Sequence, residues 1–106
     1  MKDYAFDHEN LDVYRLAVRV ARWVRRTEFP RGDSALRDQA KRAADSVVLN
    51  IAEGRAREGK ARLNHYRIAR GSASEAGAVL DLVELPDATG RQHELRRIVA
   101  MLHKLR

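Results

Sequence analysis

The sequence predicts an all-α protein, an up-and-down four-helix bundle, and three observations carry that prediction. Four stretches repeat apolar residues every three or four positions, the period of one helix face. Proline and glycine break the chain between them, at Pro30 with Gly32, at Gly59 and at Pro86. No stretch alternates apolar and polar residues in the period of a strand, and aromatics make up only 6% of the chain. The breaks are a few residues long, which places successive helices side by side and antiparallel.

Length and composition fit this class. A chain of 106 residues is expected to form a single domain over residues 1–106. At that size a fold hides roughly two thirds of the unfolded surface, enough for one core. With 44% hydrophobic and 34% charged residues, the chain reads as a folded helical globule and not as a disordered tail. Cysteine is absent, so disulfides and thiolate metal sites are excluded, and a cytoplasmic location fits. Met1 to Asn10 is polar and mostly acidic, unlike a secretory leader. The longest uncharged run, Ser46 to Ala52, is far too short for a bilayer, so no membrane partner is expected.

The first helix is expected from about Asn10 to Glu28, closed by Pro30 and Gly32. At about 100° per residue, Asp12, Arg15, Arg19, Arg22 and Arg26 gather into a stripe roughly 80° wide. The rest is largely apolar, including Leu11, Val13, Tyr14, Leu16, Val20, Trp23 and Val24. A bundle helix needs an apolar arc only somewhat wider than about 100°. The excess predicts two buried faces, one in the bundle and one against a second subunit.

The second helix is expected from about Ala35 to Arg57, capped by Asp33 or Ser34, with Gly59 just beyond its end. Leu36, Ala40, Ala43, Ala44, Val47 and Ile51 form its core face. Beside them runs a polar ridge of Gln39, Arg42, Ser46, Asn50, Glu53 and Arg57. Asp38, Lys41 and Asp45 already supply a solvated face, so the ridge suits hydrogen bonds between helices or between subunits, with a ligand site as the alternative.

The third helix is expected from about Lys60 to Leu85. Its seam is Tyr66, Ala69, Ala73, Ala76, Leu80 and Val83. The run Gly71 to Ala78 is nearly all small, which predicts close approach of another helix there, with Ser72 and Glu75 alongside. Ile68, Val79 and Leu82 are expected as a second apolar patch. The fourth helix is expected from about Gly90 to Lys104, opened by a Thr89–Gln92 capping box. Leu95, Ile98, Val99 and Leu102 should face in, and Arg91, Arg96, Arg97 and Lys104 out.

Catalytic and metal chemistry find little support. No two of His8, His65, His93 and His103 have a helical metal-ligand spacing, and no Glu-x-x-His motif occurs. His65 and Tyr66, near a helix start, are expected at the surface. No serine lies in a G-x-S-x-G turn, and no phosphate-binding glycine loop follows a strand. Glu53 and Glu75 would form an acid pair only without arginine partners. No enzyme activity, metal or cofactor is expected.

Charge points elsewhere. The net charge is +6, and residues 15–62 carry thirteen Lys/Arg against six acids. Arginine donates bidentately to phosphate. The stripe Arg15, Arg19, Arg22 and Arg26 is therefore a candidate surface for RNA or DNA, governed by phosphate and shape. No helix-turn-helix, zinc-finger or RNA-binding-sheet signature is present.

Several segments together carry a family resemblance. They are Leu11-Asp12-Val13-Tyr14 with Ala17, Phe29-Pro30, Leu36 with Gln39, Ser46-Val47-Val48-Leu49-Asn50-Ile51-Ala52-Glu53-Gly54 with Arg57, Ile68-Ala69-Arg70-Gly71-Ser72-Ala73-Ser74-Glu75, and Met101-Leu102. On these the chain resembles the four-helix-bundle proteins encoded within intervening sequences of bacterial 23S ribosomal RNA genes. It is also similar to the accessory proteins of diversity-generating retroelements. The resemblance implies a ring-like homopentamer, nucleic-acid binding through the first- and fourth-helix arginines, Arg96 and Arg97 included, and a reverse transcriptase as a partner. The stretch Glu84 to Gly90 departs from the glycine-and-aromatic turn expected there. The leading expectation is a homo-oligomeric, non-enzymatic nucleic-acid-binding or scaffold protein. The alternative is a structural or protein-interaction bundle whose basicity is incidental.

Overall fold

A computed structural model describes residues 5–106, so Met1–Tyr4 of the acidic opening segment lie outside the described residues. Four helices follow in order: α1 (Asp12–Arg26), α2 (Ser34–Arg55), α3 (Gly59–Leu82) and α4 (Ala88–Lys104). No strand occurs among the described residues. Each helix packs on its chain neighbours, and α4 returns against α1 to close the cycle. The radius of gyration is 14.3 Å, above the roughly 13 Å of a compact domain this long. The 22 and 24 residues of α2 and α3 stretch the bundle along one axis.

The core lies where the periodicity puts it. Val13, Leu16, Ala17 and Val20 of α1 meet Ala43, Val47 and Ile51 of α2. They also meet Tyr66, Ala69, Ala73, Ala76 and Leu80 of α3, and Leu95, Ile98 and Leu102 of α4. Alanines on the facing sides of α2 and α3 let these two helices lie close. They approach closely at Gly54, where a Cβ would fall 2.9 Å from both His65 Cβ and Tyr66 Cε1. A Cβ built at Gly71 or Gly77 would meet nothing within 4 Å, so the glycines of the small-residue run face open space, whereas its Ala73 and Ala76 are buried in the core and its Ser72 meets Ser46 of α2.

The termini differ from the sequence expectation. α1 begins at Asp12 without a side-chain cap and ends where Thr27 Oγ1 donates to the Trp23 carbonyl at 2.6 Å. Neither Asp33 nor Ser34 caps α2 through its side chain. Gly59 does adopt a left-handed φ of +58°, but it opens α3, because α2 stops at Arg55. α3 stops at Leu82, before Val83 turns extended. The capping box at Thr89 is not formed. The left-handed Asp87 precedes α4, and Gln92 instead donates to the Gly77 carbonyl and to Asp81 of α3.

The wide apolar arc of α1 is mostly satisfied within one chain. Val13, Leu16, Ala17, Val20, Ala21 and Val24 are all buried, since α1 is flanked by both α2 and α4. Leu11, Tyr14, Val18 and Trp23 stay half-buried. The open apolar surface belongs instead to Leu49 of α2 (65% exposed) and Leu82 of α3 (70%), with Phe6, Leu63 and Ile68. Val79, expected in a second patch, is core. Tyr66 is among the most deeply buried side chains, and His65 is half-buried.

Candidate nucleic-acid interface

Arg15, Arg19, Arg22 and Arg26 all project from the exposed side of α1. Their surroundings differ along the stripe. Arg15 pairs with Asp12 on its own helix at 3.2 Å, and both side chains are exposed. Such a pair contributes about 0–1 kcal/mol and exchanges readily for another anion. Arg22 and Arg26 form no ion pair among the described residues. Arg25, beside the stripe, is bound differently. It holds Asp45 of α2 through both carboxylate oxygens, the longer bond being 2.8 Å. The hydrogen bonds to Asp45, then its negative charge, raise the Arg25 pKa above its ordinary value.

Arg19 crosses to α4, where it lies 3.4 Å from Glu94, the one charged side chain buried among the described residues. Arg91 stands 2.8 Å from the other Glu94 oxygen, although its Nε–H is not aimed to form a hydrogen bond there. The same guanidinium lies 5.9 Å from the centre of the Trp23 ring, within reach of its π face. Arg91 is therefore folded inward and not directed to solvent as expected. Glu94 was legible in part, since it shares a row with Ile98 and Leu102 at spacings of four.

Arg96 and Arg97 are exposed on α4 and point to different flanks. Arg96 lines a groove with Ser74, Gly77 and Asp81 of α3. Arg97 lies three residues beyond Glu94, hence on the flank of α4 that faces α1. Helix spacing thus sets Arg97 on the flank toward the α1 stripe and Arg96 on the flank toward α3.

The polar ridge of α2 lies against α3. Gln39 donates to Glu75 at 3.3 Å, Ser46 and Ser72 share a hydrogen bond at 2.7 Å, and Asn50 meets His65 Nδ1 at 2.9 Å. Partners rise on one helix as they fall on the other, so α2 and α3 are antiparallel. Asn50 Nδ2 already donates to the Ser46 carbonyl and hydroxyl. Its Oδ1 is left to accept, so His65 Nδ1 carries the proton. Glu53 pairs with Arg57 at 2.6 Å at the far end of the ridge. Glu53 and Glu75 are thus some 20 Å apart by helix rise and form no acid pair. Arg42 is exposed. His65 was missed by sequence reasoning, because its partner lies on another helix and no local spacing announces it. Among the described residues no group of His, Asp or Glu is arranged to hold a metal ion.

The sequence profile of the 23S rRNA-intervening sequence proteins matches residues 9–104, which takes in all four helices, the ridge and the arginine stripe. The chain belongs to that family. No curated protein matches it. In this member of the 23S rRNA-intervening sequence protein family, no described helix is long and apolar enough to cross a membrane.

Proposed function

We propose that the protein is a non-enzymatic, homo-oligomeric binder of RNA or DNA, acting in the cytoplasm and gripping phosphates through α1. The observation that supports this reading most is the state of the stripe. Arg22 and Arg26 are exposed without an acidic partner among the described residues, Arg15 pairs with the exposed Asp12, and Arg19 keeps an exposed guanidinium over the buried Glu94. Arg97 extends the same surface across α4. Four arginines rising about 6 Å per step suit successive phosphates, and repetition around an oligomer would multiply the attraction. Arg96 serves a second flank.

Fluorescence anisotropy with a structured RNA, titrated with salt, tests the reading. Affinity should fall steeply as salt rises. Changing Arg15, Arg19 and Arg22 together to Ala should weaken binding and flatten the log–log salt slope by about 2–3. Binding that is absent at low salt, or indifferent to salt, removes the mechanism. The second reading, a protein-interaction bundle, is favoured by the exposed Leu49 and Leu82. It predicts a protein partner with the triple variant fully active.

A further inference from the structure

At the end of the bundle where α3 begins and α4 finishes, an open groove of about 550 Å³ lies between the two helices. Its polar lining is one-sided. Lys60, Arg67 and Arg70 come from α3 and His103 and Arg106 follow from α4 onward, and no Asp or Glu among the described residues lines it. None of Lys60, Arg67 and Arg70 makes an ion pair among the described residues; Arg67 donates only to Asn64, at 2.9 Å. Like charges three or four residues apart on one helix repel, so the arrangement lacks a counter-charge. Tyr66, 1% exposed, also lines the groove; its hydroxyl is shut off from solvent and has no hydrogen-bond partner among the described residues. A buried hydroxyl left in this state costs on the order of 1–3 kcal/mol. Leu63, 48% exposed, gives the same groove an apolar wall.

The geometry points to a second binding site here, for a nucleoside monophosphate group. Arg67 and Arg70, one turn apart, take the phosphate, Lys60 adds its charge from the first turn of α3, and Leu63 covers the base or sugar. The ligand is either a free mononucleotide or the 5′-phosphorylated end of a strand. The site is separate from the α1 stripe and does not depend on it.

Titration of the ¹⁵N-labelled full chain with AMP, with adenosine as control, tests the assignment. AMP at millimolar concentration should shift the amides of Lys60, Arg67 and Arg70, and adenosine should not. A short RNA carrying a 5′ phosphate, compared with its 5′-hydroxyl form, identifies the source. Shifts from the RNA alone assign the strand end, and shifts from AMP as well assign the free nucleotide. Arg67→Gln with Arg70→Gln should raise the Kd about tenfold or more, a loss typical of removed charge-assisted contacts. The Arg15, Arg19 and Arg22 triple alanine variant should retain this site, so its failure is distinct from that of the stripe. No shift from AMP or from the phosphorylated RNA, or shifts confined to α1, overturns it.

Discussion

A methyl group added at Gly54 would press on the Tyr66 ring and on His65 Cβ, both 2.9 Å away. Neither neighbour can retreat easily, because Tyr66 is buried and His65 is held by Asn50. Gly54→Ala should therefore lower stability by about 1–3 kcal/mol, typical of an overpacked contact, read by urea unfolding. Asp87 is the opposite case. It is the one non-glycine residue with positive φ among the described residues, at 67°, and nothing in its side chain caps α4. Asp87→Gly should raise stability by about 0.5–1 kcal/mol, the relief of left-handed strain less the entropy of glycine. A loss there would mean that the Asp87 side chain holds the turn. Glu94 anchors charge from two helices, and Glu94→Ala strands Arg91 half-buried beside Trp23. We expect a loss of about 1–3 kcal/mol, below that of a fully buried pair because Arg19 remains solvated.

At the scale of elements, the α2–α3 ridge is a ladder of three polar rungs along an alanine-rich seam. Small side chains bring the backbones close but leave little apolar area to specify register; the rungs fix it. Asn50→Ala should cost about 1 kcal/mol by leaving His65 Nδ1 without an acceptor. A double-mutant cycle with His65→Ala should return a coupling of about 0.5 kcal/mol or more. Additive losses would show that the rung is incidental. The core face of each helix was legible in the sequence, since burial follows the apolar repeat at Ala40, Val47 and Ile51 as at Ala69, Ala73 and Ile98. The ridge was legible as a row but not in its partners, which depend on register between helices. Helix ends were the least legible. Thr89 offered a good capping pattern, but Asp87 turned left-handed one residue before α4 and drew Gln92 to α3. The arginine stripe was visible as spacing alone. That Arg19 and Arg91 share Glu94 depends on α1 meeting α4, a contact between the two ends of the chain.

For the molecule as a whole, the exposed Leu49 of α2 is the centre of the open apolar side. It lies between two grooves, one with Tyr14, Val18 and Val48 and the other with Phe6, Ala52 and Ala56. Self-association through this side of the bundle should be lost in Leu49→Asp, seen as a fall in mass by light scattering, with helix content unchanged. An unaltered mass would move the interface elsewhere. The cyclic packing of the helices has a kinetic consequence as well. α2 and α3 are joined by only Ala56 to Glu58 and share the most extensive interface, so they can zip together with little loop-closure entropy lost. The α1–α4 seam joins residues some seventy positions apart and must wait for that hairpin. Substitutions along Ala43 and Ala73 should then slow refolding, whereas Glu94 variants should mainly hasten unfolding. The first seam expected to part under thermal fluctuation is accordingly the one that carries Arg19, so the arginine row of α1 sits beside the joint that loosens earliest.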